Sequence, residues 1–158
     1  MKYRLRPASD TDKDFLYELH RRTMHDHIER TWGWDERWQR AEFRRRFRKQ
    51  RISVIEIDAK PIGAIWLEDR RGSVYIEELQ ILPEYQRRGV GTAVLKQVIA
   101  AAGKRGLAVG LAVLRTNPGA RRLYERLGFK VTAVAQPFVY MRHTAPVVSR
   151  TRKLKVES

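Results

Sequence analysis

The stretch best equipped for chemistry is Gln86-Arg87-Arg88-Gly89-Val90-Gly91-Thr92. A β-type apolar run ends just before it, at Pro83, and a helically spaced apolar run starts at Val90, so the stretch is a turn between strand and helix. Glycine at 89 and 91 allows backbone angles and a close approach that a Cβ would obstruct. The first N–H groups of the following helix have no intrahelical acceptor and sit at the positive end of its dipole, where a pyrophosphate fits. Arg87 and Arg88 add positive charge at the same place. The plainer reading is a tight turn with solvated arginines, and spacing alone leaves both open. A dinucleotide fingerprint needs a third glycine where Val94 stands, and no Walker sequence is completed.

Two other groups have chemical potential. His25-Asp26-His27 offers two imidazoles and a carboxylate, but no third ligand follows at suitable spacing, so no metal is expected. Trp32-Gly33-Trp34-Asp35-Glu36 sets aromatic faces beside carboxylates, a combination that suits a cationic amine. The same tryptophans, with Trp38, could equally anchor a loop to a sheet.

The elements that must position these groups follow from period and punctuation. Tyr3 to Arg6 alternates and stops at Pro7, predicting a first strand. Phe15, Leu16, Leu19 and Thr23 predict a helix over about Asp12 to Met24, with His25 to Trp34 irregular. Asp35 caps a second helix to about Lys49, whose Trp38, Phe43 and Phe47 form an apolar stripe among arginines. Strands are expected at Ile52 to Asp58, Ile62 to Leu67 and Ser73 to Leu82, then a helix from Gly89 to about Ala102 and a strand at Leu107 to Val113. Asn117 and Pro118 open a further helix that Gly128 closes, and Phe129 to Ala135 with Phe138 to Arg142 form the last strands. The fold class expected is α/β: a single mixed, mostly antiparallel sheet with a central parallel β-α-β crossover and flanking helices.

The chain has 158 residues, 42% of them hydrophobic, which suits one domain. Residues 1–143 are expected to form it, and 144–158 to be a basic, flexible tail. No apolar run has the length of a membrane span, and the N-terminus lacks the apolar segment of a secretory signal, so a cytoplasmic protein without membrane association is expected. Cysteine is absent, which excludes disulfides, thiolate metal sites and a cysteine nucleophile. A net charge of +15 favours contact with polyanions, but it is spread over many elements with no nucleic-acid motif, so specific nucleic-acid binding is not expected.

Leu79-Gln80-Ile81-Leu82-Pro83-Glu84-Tyr85-Gln86-Arg87-Arg88-Gly89-Val90-Gly91 resembles the signature of the GNAT superfamily of acetyl-CoA-dependent N-acetyltransferases. Downstream, Asn117, Ala120, Leu123-Tyr124 and Leu127-Gly128-Phe129 resemble the second half of that signature, in the right order. The resemblance implies a GNAT-like acyltransferase fold in which two strands part and admit the pantetheine of acetyl-CoA. It places the cofactor against Ile81, Leu82, Gln86, Arg87, Arg88, Gly89, Val90, Gly91, Thr92 and Asn117. It casts Tyr124 as the general acid that gives the departing thiolate a proton. An alkylammonium acceptor must first lose a proton, having a pKa near ~10.

For that base the resemblance points to Glu77, alone or through water, with Glu78 beside it. Strict alternation sends the two to opposite faces and puts Leu79 and Ile81 with Glu77, unless a bulge resets the register. Glu78, Trp32, Trp34 and Asp35 are the expected acceptor contacts. Ala112 occupies the position where protein-N-terminus acetylating relatives carry a glutamate, so a small-molecule amine is the expected acceptor. The alternatives are a protein lysine or N-terminal amine, a non-catalytic acyl-CoA-binding protein, or a basic nucleic-acid-binding domain. A homodimer is compatible with the family.

Overall fold

The computed structural model describes residues 2–144; the flexible tail expected over residues 144–158 lies, but for residue 144, outside the described residues. The chain runs β1 (Arg4–Pro7), α1 (Lys13–Thr31), α2 (Glu36–Lys49), β2 (Arg51–Ile57), β3 (Lys60–Arg70), β4 (Ser73–Ile81), α3 (Val90–Lys104), β5 (Ala108–Leu114), α4 (Pro118–Arg126), β6 (Lys130–Ala135) and β7 (Phe138–His143). One sheet has the order β1-β2-β3-β4-β5-β7-β6. Among the described residues only the central β4–β5 pair is parallel, with α3 as its crossover, and the other pairs are antiparallel. The expected mixed α/β architecture is therefore the observed one. Among the described residues no helix is long and apolar enough to cross a membrane.

Alternating strand residues build a core on each side of the sheet. On one side Leu16, Tyr17 and Leu19 of α1 and Phe43 of α2 pack on Ile52, Val54, Ala64 and Trp66. On the other, Val90, Val94, Leu95 and Val98 of α3 pack on Ile65, Val74, Ile76, Val109 and Leu111, with Leu123 and Tyr124 of α4 at the margin. Asp35 caps α2 as expected, accepting from the Trp38 amide at 3.0 Å. Asn117 caps α4 in the same way, its Oδ1 accepting from the Ala120 amide at 3.2 Å.

The first helix is longer than its sequence suggested. Residues 25–31, expected to be irregular, continue α1 to Thr31. The stripe Leu16, His20, Met24, Ile28 recurs every fourth residue, and Leu16, His20 and Ile28 are buried. The histidine in that stripe hid the period. α1 stops where the Trp32 and Gly33 amides turn back onto the Ile28 carbonyl.

A second correction concerns β4. The β3–β4 register slips between Trp66 and Leu67, pairing Trp66 with Glu78 but Leu67 with Ile76. Glu77 is the extra residue of a bulge. Val74 and Ile76 face the α3 core, and beyond the bulge Leu79 and Ile81 do too. Glu77 and Glu78 therefore do not part to opposite faces: both reach Arg46 of α2.

A candidate active site where the sheet splits

The parallel ladder between β4 and β5 runs only from Ser73–Ala108 to Ile76–Leu111. Beyond Ile76 the strands diverge, β5 staying paired with β7 and β4 with β3. A cleft of about 930 Å³ opens at this divergence. Its wall includes His20 and Trp38 from one face of the sheet and Asn117, Ala120 and Tyr124 from the other, so it passes through the sheet.

The backbone on the α3 side of the split is short of partners. Ile81 pairs with Gly63, and the Leu82 amide donates to the Ile62 carbonyl at 2.8 Å, which fixes the hydrogen-bonding sense of the strand. Leu79 and Ile81 then turn their N–H and C=O groups away from β3, toward the gap. The Ile81 carbonyl accepts from Gln86 Nε2 at 2.8 Å. Leu82 was expected to offer backbone groups to a cofactor, but its carbonyl accepts from Tyr85 and its amide is engaged with Ile62. Leu79, absent from the expected set, has its backbone groups turned toward the gap.

The turn after β4 has more free donors. From Arg87 through Thr92 no backbone N–H finds an acceptor among the described residues; the next, Ala93, donates to Gly89 at 3.0 Å. Arg87 and Gly89 both adopt left-handed backbone angles, φ 63° and 85°, which curl the amides into a concave, anion-seeking nest. A Cβ on Gly91 would be in ordinary contact with Ile81 Cδ1 at 3.4 Å, so the first turn of α3 packs on the Ile81 side chain, over the face of β4. This donor set fits a diphosphate followed by an amide-bearing chain.

Inside the cleft the side chains are charged and crowded. Glu77 is half-buried, with Arg70 Nη2 at 3.2 Å and Arg46 Nη2 at 3.7 Å. Burial raises its carboxyl above the ordinary value, and the charge of Glu68 adds to this while Arg46 and Arg70 oppose it. Glu78 takes Arg46 Nη1 at 3.3 Å. Tyr124 packs edge-on against Phe129, ring centroids 5.6 Å apart. Its phenol is pushed up to about 12, by burial first and then by the charge of Glu78.

Of the expected acceptor contacts, Trp32, Asp35 and Glu78 line the cleft. Trp34 does not. Its amide donates to Glu29 at 2.6 Å and its Nε1 to Glu36 at 3.0 Å, while its ring lies 4.9 Å from that of His25, so it ties the end of α1 to α2. Arg46, Arg70, Tyr75 and Tyr140 line the cleft without having been singled out, and Trp38, expected in an apolar stripe, is 58% exposed and lines it too. They belong to no short motif, and only the fold assembles them. The described residues contain no cluster of three metal-ligating side chains.

Comparison with known proteins gives this geometry a lineage. The model of the acetyltransferase (GNAT) family matches residues 13–129. An uncharacterized N-acetyltransferase of Methanocaldococcus jannaschii is 28% identical over 149 residues, covering 88% of this chain and 66% of its own length. A mouse thialysine N-epsilon-acetyltransferase is 39% identical over 57 residues, 35% of this chain and 34% of its own. The chain thus spans less than two thirds of the length of these relatives. The PaiA N-acetyltransferase of Thermoplasma acidophilum, solved with coenzyme A, superposes with a TM-score of 0.75 at 20% identity, over 91% of this chain and 99% of that one. The ribosomal-protein-S18-alanine N-acetyltransferase of Escherichia coli gives 0.70 at 19% identity, over 90% and 94%. With the split sheet, the amide-lined turn and this family match together, the chain belongs to the GNAT superfamily of N-acetyltransferases.

Proposed function

We propose that the chain transfers the acetyl group of acetyl-CoA to a small-molecule amine by direct attack inside the through-sheet cleft. The observation that carries this reading is the unbroken run of backbone amides from Arg87 to Thr92 that find no acceptor among the described residues, in the turn that follows the β4 segment whose Leu79 lines the cleft. When bound, acetyl-CoA supplies a reactive thioester carbonyl and a thiolate leaving group. The amides of Arg87, Arg88, Gly89, Val90, Gly91 and Thr92 hold its diphosphate, helped by the dipole of α3 and the two arginine charges. Leu79 and Ile81 pair with its amide-bearing arm, and Gln86 fixes the Ile81 carbonyl. Asn117, at the head of α4, borders the same path.

Glu77 takes the proton that the ammonium acceptor must lose, directly or through water. Its raised carboxyl brings its basicity closer to neutral pH than an ordinary glutamate's. Tyr124 gives a proton to the leaving sulfur. Burial, with the charge of Glu78 adding to it, keeps the Tyr124 phenol protonated until it is needed, so the two adjacent carboxylates have different tasks. The acceptor enters past Trp32, Asp35 and Trp38, where aromatic faces and a carboxylate meet.

Two measurements test the reading. A ligand that binds only the folded chain stabilises it by about 2.7 kcal/mol at a hundredfold excess over Kd, so acetyl-CoA should raise Tm clearly. A panel of small amines, read by release of free CoA thiol, should then contain at least one acceptor. No Tm rise with acetyl-CoA would overturn cofactor binding. A rise with no thiol release from any amine would leave an acyl-CoA-binding protein instead.

A further inference from the structure

Behind the two glutamates, under the α1–α2 layer, lies a second and much smaller cavity of about 20 Å³. His20, Gln39, Arg46, Trp66, Glu78 and Gln80 are among the residues around it. That is room for one water molecule. Two polar atoms of its wall are buried without a partner, Trp66 Nε1 and Gln80 Oε1. Trp66 and Gln80 are only 3% and 2% exposed. One is a donor and the other an acceptor, the pair a single water satisfies together. Orphaned polar atoms in a native interior are rare because each carries its full desolvation penalty.

The orientation of Gln80 is fixed by its other end. Its Nε2 donates to His20 Nδ1 at 3.2 Å and to Glu78 Oε2 at 3.4 Å. His20 Nε2 in turn donates to Gln39 Oε1 at 2.8 Å. Turning the amide round would aim its oxygen at the Glu78 carboxylate, so the nitrogen faces Glu78 and the oxygen faces the cavity. The chain Gln39–His20–Gln80–Glu78 thus runs from α2 through α1 to the bulge of β4. Arg46 covers it from above, its guanidinium 5.5 Å from the Trp66 ring centre and its Nη1 3.3 Å from Glu78.

We propose that one water is held in this cavity, accepting from Trp66 Nε1 and donating to Gln80 Oε1, and that with it His20 and Gln80 act as positioning residues for Glu78. A carboxylate at a strand bulge between an arginine and open cleft has several orientations available. Donors arriving from the protein side select one. The inference rests on the acetyl-transfer reading only for its consequence. The water site stands on the cavity and its two orphaned atoms.

Three measurements decide it, and the first two need no turnover. A crystal structure at a resolution that shows ordered water should place one within hydrogen-bond distance of both orphaned atoms, and a dry or collapsed cavity overturns the proposal. Trp66→Phe and Gln80→Leu, singly and combined, should be non-additive in Tm, the double variant losing less than the sum because both substitutions break one bridge. Strict additivity overturns the bridge.

The positioning role is read with the amine that releases most CoA thiol. His20→Leu should move the alkaline limb of kcat to lower pH, as Glu78→Gln should, at unchanged KM for acetyl-CoA. His20→Asn, whose amide oxygen can still accept from Gln80, should restore most of the limb. The same alkaline limb in His20→Leu and wild type, or an equal shift in both variants, overturns the role of the chain. A dry cavity in an active enzyme refutes this inference alone, whereas an ordered water in a protein without acetyl-CoA binding refutes only the activity.

Discussion

The two walls of the cleft are made of different material. One wall begins at Leu79, which lines the cleft, and continues beyond the lining to Thr92 as backbone, presenting amides and one strand edge, with Gly89 at φ 85° and open space around it. The wall from α1, α2, β3 and the bulge of β4 is side chain: Glu77 and Glu78 against Arg46 and Arg70, rimmed by Trp32 and Trp38. A backbone wall recognises groups that every acyl-CoA carries, and it depends on φ, small size and the end of a helix. A side-chain wall can be rewritten residue by residue, so on the proposed reading it is where a particular amine would be chosen.

The sharpest way to break this contrast is to put a side chain on the backbone wall. Gly89 has open space around its Cα but sits at φ 85°. Gly89→Glu therefore adds left-handed strain of roughly 1–2 kcal/mol and sets a negative charge in the nest. The expected outcome is complete loss of the acetyl-CoA-induced Tm rise, by thermal shift. Gly89→Asn, whose side chain tolerates that conformation, should keep most of it.

The next effect belongs to the point where the walls meet. Tyr124→Phe removes the phenol and leaves the packing on Phe129, so kcat should fall by about 10²-fold with KM for acetyl-CoA unchanged. Steady-state rates with free-thiol detection check this. An unchanged kcat would give the leaving thiolate's proton to another donor.

Tyr124 was visible in the sequence only through the resemblance, whereas Gly89 and its neighbours were visible for a physical reason. Gly89, Gly91, Pro83 and Asn117 carry local constraints, a left-handed angle, a close approach, a strand stop and a helix cap, that one stretch of chain states alone. The same holds for the sheet, whose strands carry their own alternation and turns. The opposite wall is non-local. His20, Arg46 and Gln80 come from three elements, and nothing near any of them in the chain announces that they meet. The bulge that turns Glu77 and Glu78 to one face is likewise a property of the β3–β4 register. It cannot be read from alternation along β4. α1 was cut short for a related reason, since a buried histidine in its apolar stripe is explained only by Gln39 and Gln80.

A smaller effect separates the two glutamates. Burial holds the Glu77 carboxyl above its ordinary value, so the folded chain binds that proton more tightly than the unfolded chain does. This group's contribution to stability therefore improves as pH falls through the raised value and is unfavourable above it. Glu77→Gln should remove that dependence, visible as a difference between the Tm–pH curves of wild type and variant from neutral pH downward. The acidic limb of kcat/KM should be lost with it, and the neutral-pH rate should fall about tenfold or more. Glu78→Gln should instead lower the alkaline limb, because Tyr124 loses the charge that helps keep it protonated. If the two variants exchange these signatures, the roles of the glutamates are reversed.

The smallest expected change tests whether the side-chain wall selects the acceptor. Trp32 is 59% exposed and lines the cleft, its ring 5.8 Å from that of Phe138 across the opening. Truncating so exposed a side chain should cost about 0.5 kcal/mol or less in a denaturation midpoint. If the ring lies against the amine, Trp32→Ala should still raise KM for the acceptor several-fold while leaving KM for acetyl-CoA alone. Trp34→Ala is the matched contrast. Trp34 holds Glu36 and packs on His20 and His25 away from the cleft, so its loss should lower Tm without an acceptor-specific change in KM. Neighbouring tryptophans two residues apart would then separate recognition from anchoring, since one faces the opening and the other the joint between α1 and α2. Should Trp34→Ala shift acceptor KM as much as Trp32→Ala does, that joint sets the width of the entrance, and selection acts through the backbone of the α1–α2 connection.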